Sequence, residues 1–138
     1  MKEMPIPGRK IADAEGGIIV FLIGARINKL RGLRHWWSSF WTMPGMLREL
    51  MQDKDSGLLS FRLLTRGPRL FVTLQYWENI EKLSEYASDP KRLHHPAWSA
   101  YNRAMRGGRT DLGVFHETYV VPSTDFYENI YVNMPEFG

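Results

Sequence analysis

Four histidines, three of them set among large aromatics, are the residues of this chain best suited to chemistry. His94 and His95 lie in Leu93-His94-His95-Pro96-Ala97-Trp98, and His116 lies in Gly113-Val114-Phe115-His116-Glu117-Thr118-Tyr119. Imidazole changes charge near neutral pH and is a frequent ligand of metals and haem. His94 stands just ahead of a proline suited to the first turn of a helix. A helix N-terminus favours the neutral form of a nearby imidazole, which is the form that accepts a proton or binds a metal. Period-2 alternation puts Val114, His116 and Thr118 on one side of a strand and Phe115, Glu117 and Tyr119 on the other. In the plainer account His94 caps a helix and His116 is a hydrogen-bonded core or interface residue. In the chemical account each is a ligand contact, a general base or a haem ligand. His95 reads as exposed.

Other chemistries lack their residues. The histidines show no H-x-x-x-H spacing and have no paired carboxylates beside them, and the chain has no Cys, so a zinc site is not expected. No G-x-S-x-G elbow and no G-x-G-x-x-G loop occurs, which removes an α/β-hydrolase triad and a Rossmann-type nucleotide site. Glu117 points away from its neighbour His116 and, if buried, needs a partner such as Arg62.

The elements that must position these residues follow from periodicity. Residues 1–16, with two prolines and mixed charge, read as an N-terminal arm, and 17–138 as one domain. Gly17–Ile27 is a β-branched apolar run and reads as a strand. From Trp36 the spacing is helical, with Trp37, Phe40 and Trp41 on one face. Pro44 is expected to kink or restart this helix, so that its main part runs from about Pro44 to Lys54 and ends near Gly57. Leu58–Thr65 and Leu70–Trp77 form a hairpin around Arg66-Gly67-Pro68-Arg69. Asn79 is an N-cap for a helix bearing Ile80, Leu83, Tyr86 and Ala87. Another helix begins near Pro96 and ends at Gly107-Gly108. Leu112–Val121 is the last long strand, and Ile130–Val132 a short one.

Aromatics make up 13% of the chain, which suits a bulky core or an apolar ligand cavity. The net charge is +3, with a modest gathering at Lys29, Arg31 and Arg34 but no long basic run interleaved with aromatics, so nucleic-acid binding is not expected. No run reaches the roughly 18 apolar residues of a membrane span, and the first 15 residues lack a signal-peptide core. A cytoplasmic protein is expected.

The element order is that of an α+β, ferredoxin-like β-α-β-β-α-β domain. Both alternating sets of the hairpin strands carry bulky apolar residues, so both sheet faces are expected to be covered. A second copy packed sheet to sheet is the economical cover; the arm and tail are the alternative.

The order of elements resembles the dimeric α/β-barrel superfamily, which holds antibiotic-biosynthesis-type monooxygenases, haem-degrading enzymes and aldoxime-dehydratase-like haem proteins. More closely, the chain resembles a monooxygenase-like family of unknown function. The matching stretches are Met43–Leu50 (MPGMLREL), Gln75-Tyr76-Trp77, His94-His95-Pro96-Ala97-Trp98, Tyr101-Asn102, His116-Glu117-Thr118-Tyr119 and Tyr131–Pro135 (YVNMP). In the H-x-P-A-W stretch the family's histidine falls on His94. The resemblance implies a homodimer that oxidises an apolar or aromatic small molecule without a prosthetic group. It carries over His94 and His116 as catalytic residues, and Trp98, Asn102, Glu117 and Tyr119 beside them. The residues themselves add Trp37 and Trp41, which pack on a helix face or line a cavity mouth, and Tyr76, which ends its strand under the following helix; with Trp98, Asn102 and Tyr119 these are the expected substrate contacts. No cofactor is assigned and no metal site is expected. Two alternatives stay open: a haem enzyme of aldoxime-dehydratase-like type with His94 or His116 as axial ligand, and a dimer that binds a small molecule without turnover.

Overall fold

The computed structural model describes residues 4–92 and 94–137; the side chains of residues 33, 35–41 and 97 lie outside that description, and with them the expectations for Trp37 and Trp41. The strands are β1 (Arg9–Lys10), β2 (Ile18–Ile27), β3 (Leu58–Arg66), β4 (Leu70–Trp77), β5 (Leu112–Val121) and β6 (Tyr131–Val132). The helices are α1 (Leu33–Gln52), α2 (Ile80–Ser88) and α3 (His94–Arg106). Strands β2 to β5 form one antiparallel sheet in the order β3-β4-β2-β5. With β2-α1-β3-β4-α2-α3-β5 along the chain, this is the ferredoxin-like α+β fold.

The hairpin closes through Gly67 at φ +59°, a left-handed conformation that glycine adopts without strain. Asn79 caps α2 by accepting from the Lys82 backbone N–H at 2.9 Å. Pro44 does not restart the first helix: α1 runs unbroken through it to Gln52. Pro44 is exposed. A proline on the solvent side of a helix leaves the carbonyl that lost its donor to be hydrated, which lowers the penalty of a proline inside a helix.

Register fixes what each face carries. Ile19, Phe21, Ile23, Ala25 and Ile27 of β2 face the helices, together with Phe71, Thr73, Gln75 and Trp77 of β4 and Leu112, Val114, His116 and Thr118 of β5. The apolar core divides into two clusters. Ile19, Leu50, Trp77 and Leu83 pack at one end of the sheet, with Phe21, Leu58 and Tyr86 against them. Ile27 and Leu112 pack at the other end, against Phe71, Tyr101, Ala104, Met105 and Val114. The interval between the clusters is polar.

The arm and the tail form a ribbon. Arg9 and Lys10 pair with Val132 and Tyr131, Asn129 exchanges two hydrogen bonds with the Ala12 backbone, and the Tyr127 hydroxyl accepts from the Ala14 N–H. The tail reaches the side of the sheet away from the helices, where Arg62 donates to the Glu136 carbonyl and lies 5.2 Å from the Phe137 ring centroid.

Candidate functional site

The polar interval is built on β4. Trp77, with no exposed surface, donates its indole N–H to Gln75 Oε1 at 2.9 Å. Gln75 Nε2 donates to Thr73 Oγ1 at 3.1 Å, and the Thr73 hydroxyl donates to the Ile23 carbonyl at 3.3 Å. Indole is a donor only, so it fixes which end of the Gln75 amide is oxygen. The chain of donors then runs one way, from the indole to a backbone carbonyl. It leaves the second amide proton of Gln75 without an acceptor among the described residues. Thr73 is 1% and Gln75 5% exposed, so these polar groups are held inside the sheet–helix layer.

Alternation places these groups beside the C-terminal histidine. Gln75 pairs with Phe21, and Thr73 pairs with Ile23. On the other side of β2, Phe21 pairs with Thr118 and Ile23 with His116. His116 is exposed on the edge strand, and its ring centroid lies 6.0 Å from that of Phe21. One belt therefore crosses three strands: a buried amide and hydroxyl at its inner end, Phe21 and Ile23 as an apolar floor, and an imidazole at its outer end. At about 4.8 Å between strands, the ends are about 10 Å apart.

His94 occupies a different place. It is the first residue of α3, its Nε2 is 3.0 Å from the Ala87 carbonyl oxygen, and its ring centroid is 4.6 Å from that of Tyr86. A carbonyl oxygen only accepts, so Nε2 carries the proton. Nδ1 is buried with no hydrogen-bond partner. Tyr86 in turn meets Trp77 at 5.8 Å, and burial pushes its hydroxyl pKa up to about 12. No contact joins His94 to His116 among the described residues.

Arg92 fastens this end of the molecule. It is 2.7 Å from Asp53, 3.6 Å from Glu49 and 3.4 Å from Asp89. Its hydrogen bond holds the Asp53 carboxyl below the usual range. A shallow pocket of about 130 Å³ lies here, lined by Ser56, Lys82, Glu85, Tyr86 and Arg92 among others. It is smaller than sites for drug-sized ligands, roughly 300–1,000 Å³, and neither His94 nor His116 lines it.

The expected substrate contacts divide between the faces. Tyr76, expected as a substrate contact, points to the face away from the helices, because Trp77 takes the helix side and neighbours on a strand alternate. Burial raises the Tyr76 pKa. Tyr119 shares that opposite face, is 53% exposed and donates to Glu117 at 2.7 Å. Glu117 thus takes Tyr119 as its partner rather than Arg62. Arg62 and Glu117 share a row through Leu74 and Leu22 but stand three strands apart, about 14 Å. Trp98 on α3 is 45% exposed and stacks on Tyr101 at 5.6 Å; Asn102 is half-buried one residue further along the same helix. Sequence reading missed Thr73 and Gln75. The available signal was two polar residues in the apolar run LFVTLQYW, on the face shared with Trp77.

These features define a ferredoxin-like α+β domain with a polar belt beneath its helices. The chain belongs to the monooxygenase af470-like family, whose model matches residues 18–138. Among solved structures, an aldoxime dehydratase is similar with a TM-score of 0.72 and 19% identity, over 95% of this chain and 39% of that one. The chain thus spans well under half the length of that enzyme. A cofactor-independent oxygenase from Streptomyces nogalater is similar with a TM-score of 0.50 and 14% identity, over 82% of this chain and 97% of that one. A conserved protein of unknown function from Bacteroides thetaiotaomicron gives 0.50 and 14%, over 78% and 99%. At these identities the likeness is one of fold. No curated protein matches the chain. Among the described residues no helix is long and apolar enough to cross a membrane, and no three potential ligands converge on a metal position.

Proposed function

We propose that this protein is a monooxygenase-like oxidoreductase acting on an apolar or aromatic small molecule. The substrate lies on the helix-facing side of the sheet, over Phe21 and Ile23. The observation that carries this reading is the belt itself, a buried amide with a spare proton at one end and an imidazole at the other. An amide donor suits a phenolic or enolic oxygen, and the aromatic floor suits the ring. His116 takes the proton that makes the substrate electron-rich. A methylene so activated reacts with O₂ to give a carbonyl and water, the substrate supplying all four electrons. The family description and the fold shared with a cofactor-independent oxygenase support this chemistry.

His94 is a positioning residue in this account, because its Nε2 proton is committed to the Ala87 carbonyl. The same contact bears on haem. An axial histidine needs one nitrogen facing the iron across open space, whereas the His94 ring is closed in by Tyr86 and by the turn ending α2. His94 does not fit as a haem ligand; His116, the other candidate, serves as the base in this reading, so no step is routed through haem.

A second copy of the chain covers the sheet face away from the helices. Leu64, Phe115 and Tyr119 on that face are 42%, 38% and 53% exposed. Phe115 lies across Gly24, where a Cβ would collide with the ring. The tail covers the face near Arg62 and leaves the β5 side open. Sedimentation equilibrium is expected to give a dimer.

Oxygen uptake with a panel of phenols, quinols and aryl ketones bearing an enolisable methylene tests the activity. At least one member is expected to consume O₂, and His116→Gln to slow turnover by about 10²–10⁴-fold while binding persists. If no member consumes O₂ but one binds, the protein is a binding module instead. Uptake unchanged in His116→Gln would remove the imidazole from the mechanism.

A further inference from the structure

The fold collects at one end of the molecule positive charge that is dispersed in the sequence. Strand β2 ends beside the start of β5, and the β3–β4 turn and the end of α3 arrive at the same end, as Ile27 N–H bonding to the Arg69 carbonyl and Asn28 N–H to the Asp111 carbonyl show. Three segments meet there: 26–34 with Arg26, Lys29, Arg31 and Arg34; 66–69 with Arg66 and Arg69; and 103–111 with Arg103, Arg106 and Arg109. These three segments hold half of the 18 Lys and Arg residues and, of the 15 acidic residues, only Asp111. Asp111 is occupied by Arg109 at 2.7 Å. The other eight cations are exposed, and none has an ion-pair partner among the described residues. At the tip, between Lys29 and Arg31, Leu30 stands 59% exposed in a short 3₁₀ turn.

We propose that this basic end is a contact surface for an anionic lipid bilayer. A bare cluster of like charge repels itself and is favourable only where it meets an anionic surface. Three turns and helix ends at one pole of a domain present a blunt surface to a plane. An apolar side chain ringed by cations matches the layered chemistry of a headgroup region, with charge outside and acyl chains beneath. A nucleic-acid surface would pair the cations with exposed aromatics or amides that read or stack on bases. Within the described side chains of these three segments, the large exposed apolar group is aliphatic Leu30. The contact is peripheral and requires no spanning segment. It is independent of the oxidoreductase reading.

The test is co-sedimentation of the full chain with vesicles of phosphatidylcholine alone, and of phosphatidylcholine mixed equally with phosphatidylglycerol. Binding is expected only to the anionic vesicles at about 0.1 M salt, and is lost near 0.5 M as screening shortens. Arg66→Gln with Arg69→Gln, both in an exposed turn, is expected to lower the partition coefficient about 25-fold, at about fivefold per cation. Leu30→Ala lowers what remains, whereas Lys54→Gln with Lys91→Gln at the opposite end changes it by no more than the loss of general charge. Equal binding to both vesicle types, no binding to the anionic ones, or equal loss in both double variants would overturn the proposal. So would a duplex oligonucleotide that displaces the protein from the vesicles at matched phosphate concentration. The salt and lipid series on the unaltered protein decide the matter even if a variant fails to fold.

Discussion

Replacing Gln75 by Leu removes both links of the buried donor chain. The Trp77 indole N–H, on a side chain with no exposed surface, loses its acceptor. Thr73 loses an incoming donor but keeps its own bond to the Ile23 carbonyl, so the main cost falls on the indole. Leaving one buried donor unsatisfied costs about 1–3 kcal/mol. The apolar side chain offsets little of this, because the volume is nearly conserved. For a domain of this size, about 3 °C per kcal/mol turns that cost into a fall in melting temperature of about 3–10 °C. Urea unfolding followed by Trp fluorescence and circular dichroism gives the number. The double variant Gln75→Leu/Trp77→Phe removes the orphaned donor and is expected to cost less than the sum of its single variants. The cycle isolates the coupling that the reasoning requires. A Gln75→Leu variant as stable as the parent, or a double variant whose losses simply add, would refute the donor chain.

Three further outcomes follow from the structure. Asn79→Ala removes the α2 cap and is expected to cost about 1 kcal/mol in urea unfolding, with Asn79→Asp nearly neutral. Tyr86 has its folded pKa raised from 10.0 to about 12, so the folded state holds the proton more tightly and loses stability as pH rises through that window. Tyr86→Phe should flatten alkaline unfolding between pH 10 and 12, and an unchanged alkaline limb would contradict the assignment. Asp53 has its folded pKa depressed by Arg92, so its contribution is present above the usual carboxyl pKa of 3.8 and fades as pH falls below it. Asp53→Asn should therefore lower stability at neutral pH and make acid unfolding shallower, as read from melting temperatures across that range.

Much of the fold was legible because local signals and tertiary structure agree. The β-branched run of β2, the Gly-Pro turn of the hairpin, the Asn79 cap and the paired glycines after α3 each mark a boundary where the structure has one. Pro44 misled because its cost depends on which side of the helix it occupies, and single-residue propensity does not carry that information. The ribbon of Arg9–Lys10 with Tyr131–Val132 was not legible because its partners are separated by nearly the whole chain, and two residues give no periodicity. The site was legible in part. Alternation grouped His116 with Val114 and Thr118 without saying which side meets the helices, and Thr73 and Gln75 look like ordinary polar alternation until the assembled sheet shows them buried on the helix side. Of the basic pole only the gathering at Lys29, Arg31 and Arg34 was legible, because three short segments become one surface only after the sheet is assembled.

If an aromatic small molecule lies over Phe21 and Ile23 with a polar atom at Gln75, amide and methyl chemical-shift mapping of the labelled protein, titrated with a bound phenol or quinol, locates it there. The largest perturbations are expected at the Gln75 side-chain amide, the Ile23 methyls and His116. Perturbations centred on Tyr76, Leu74 and Tyr119, across the sheet, would contradict it.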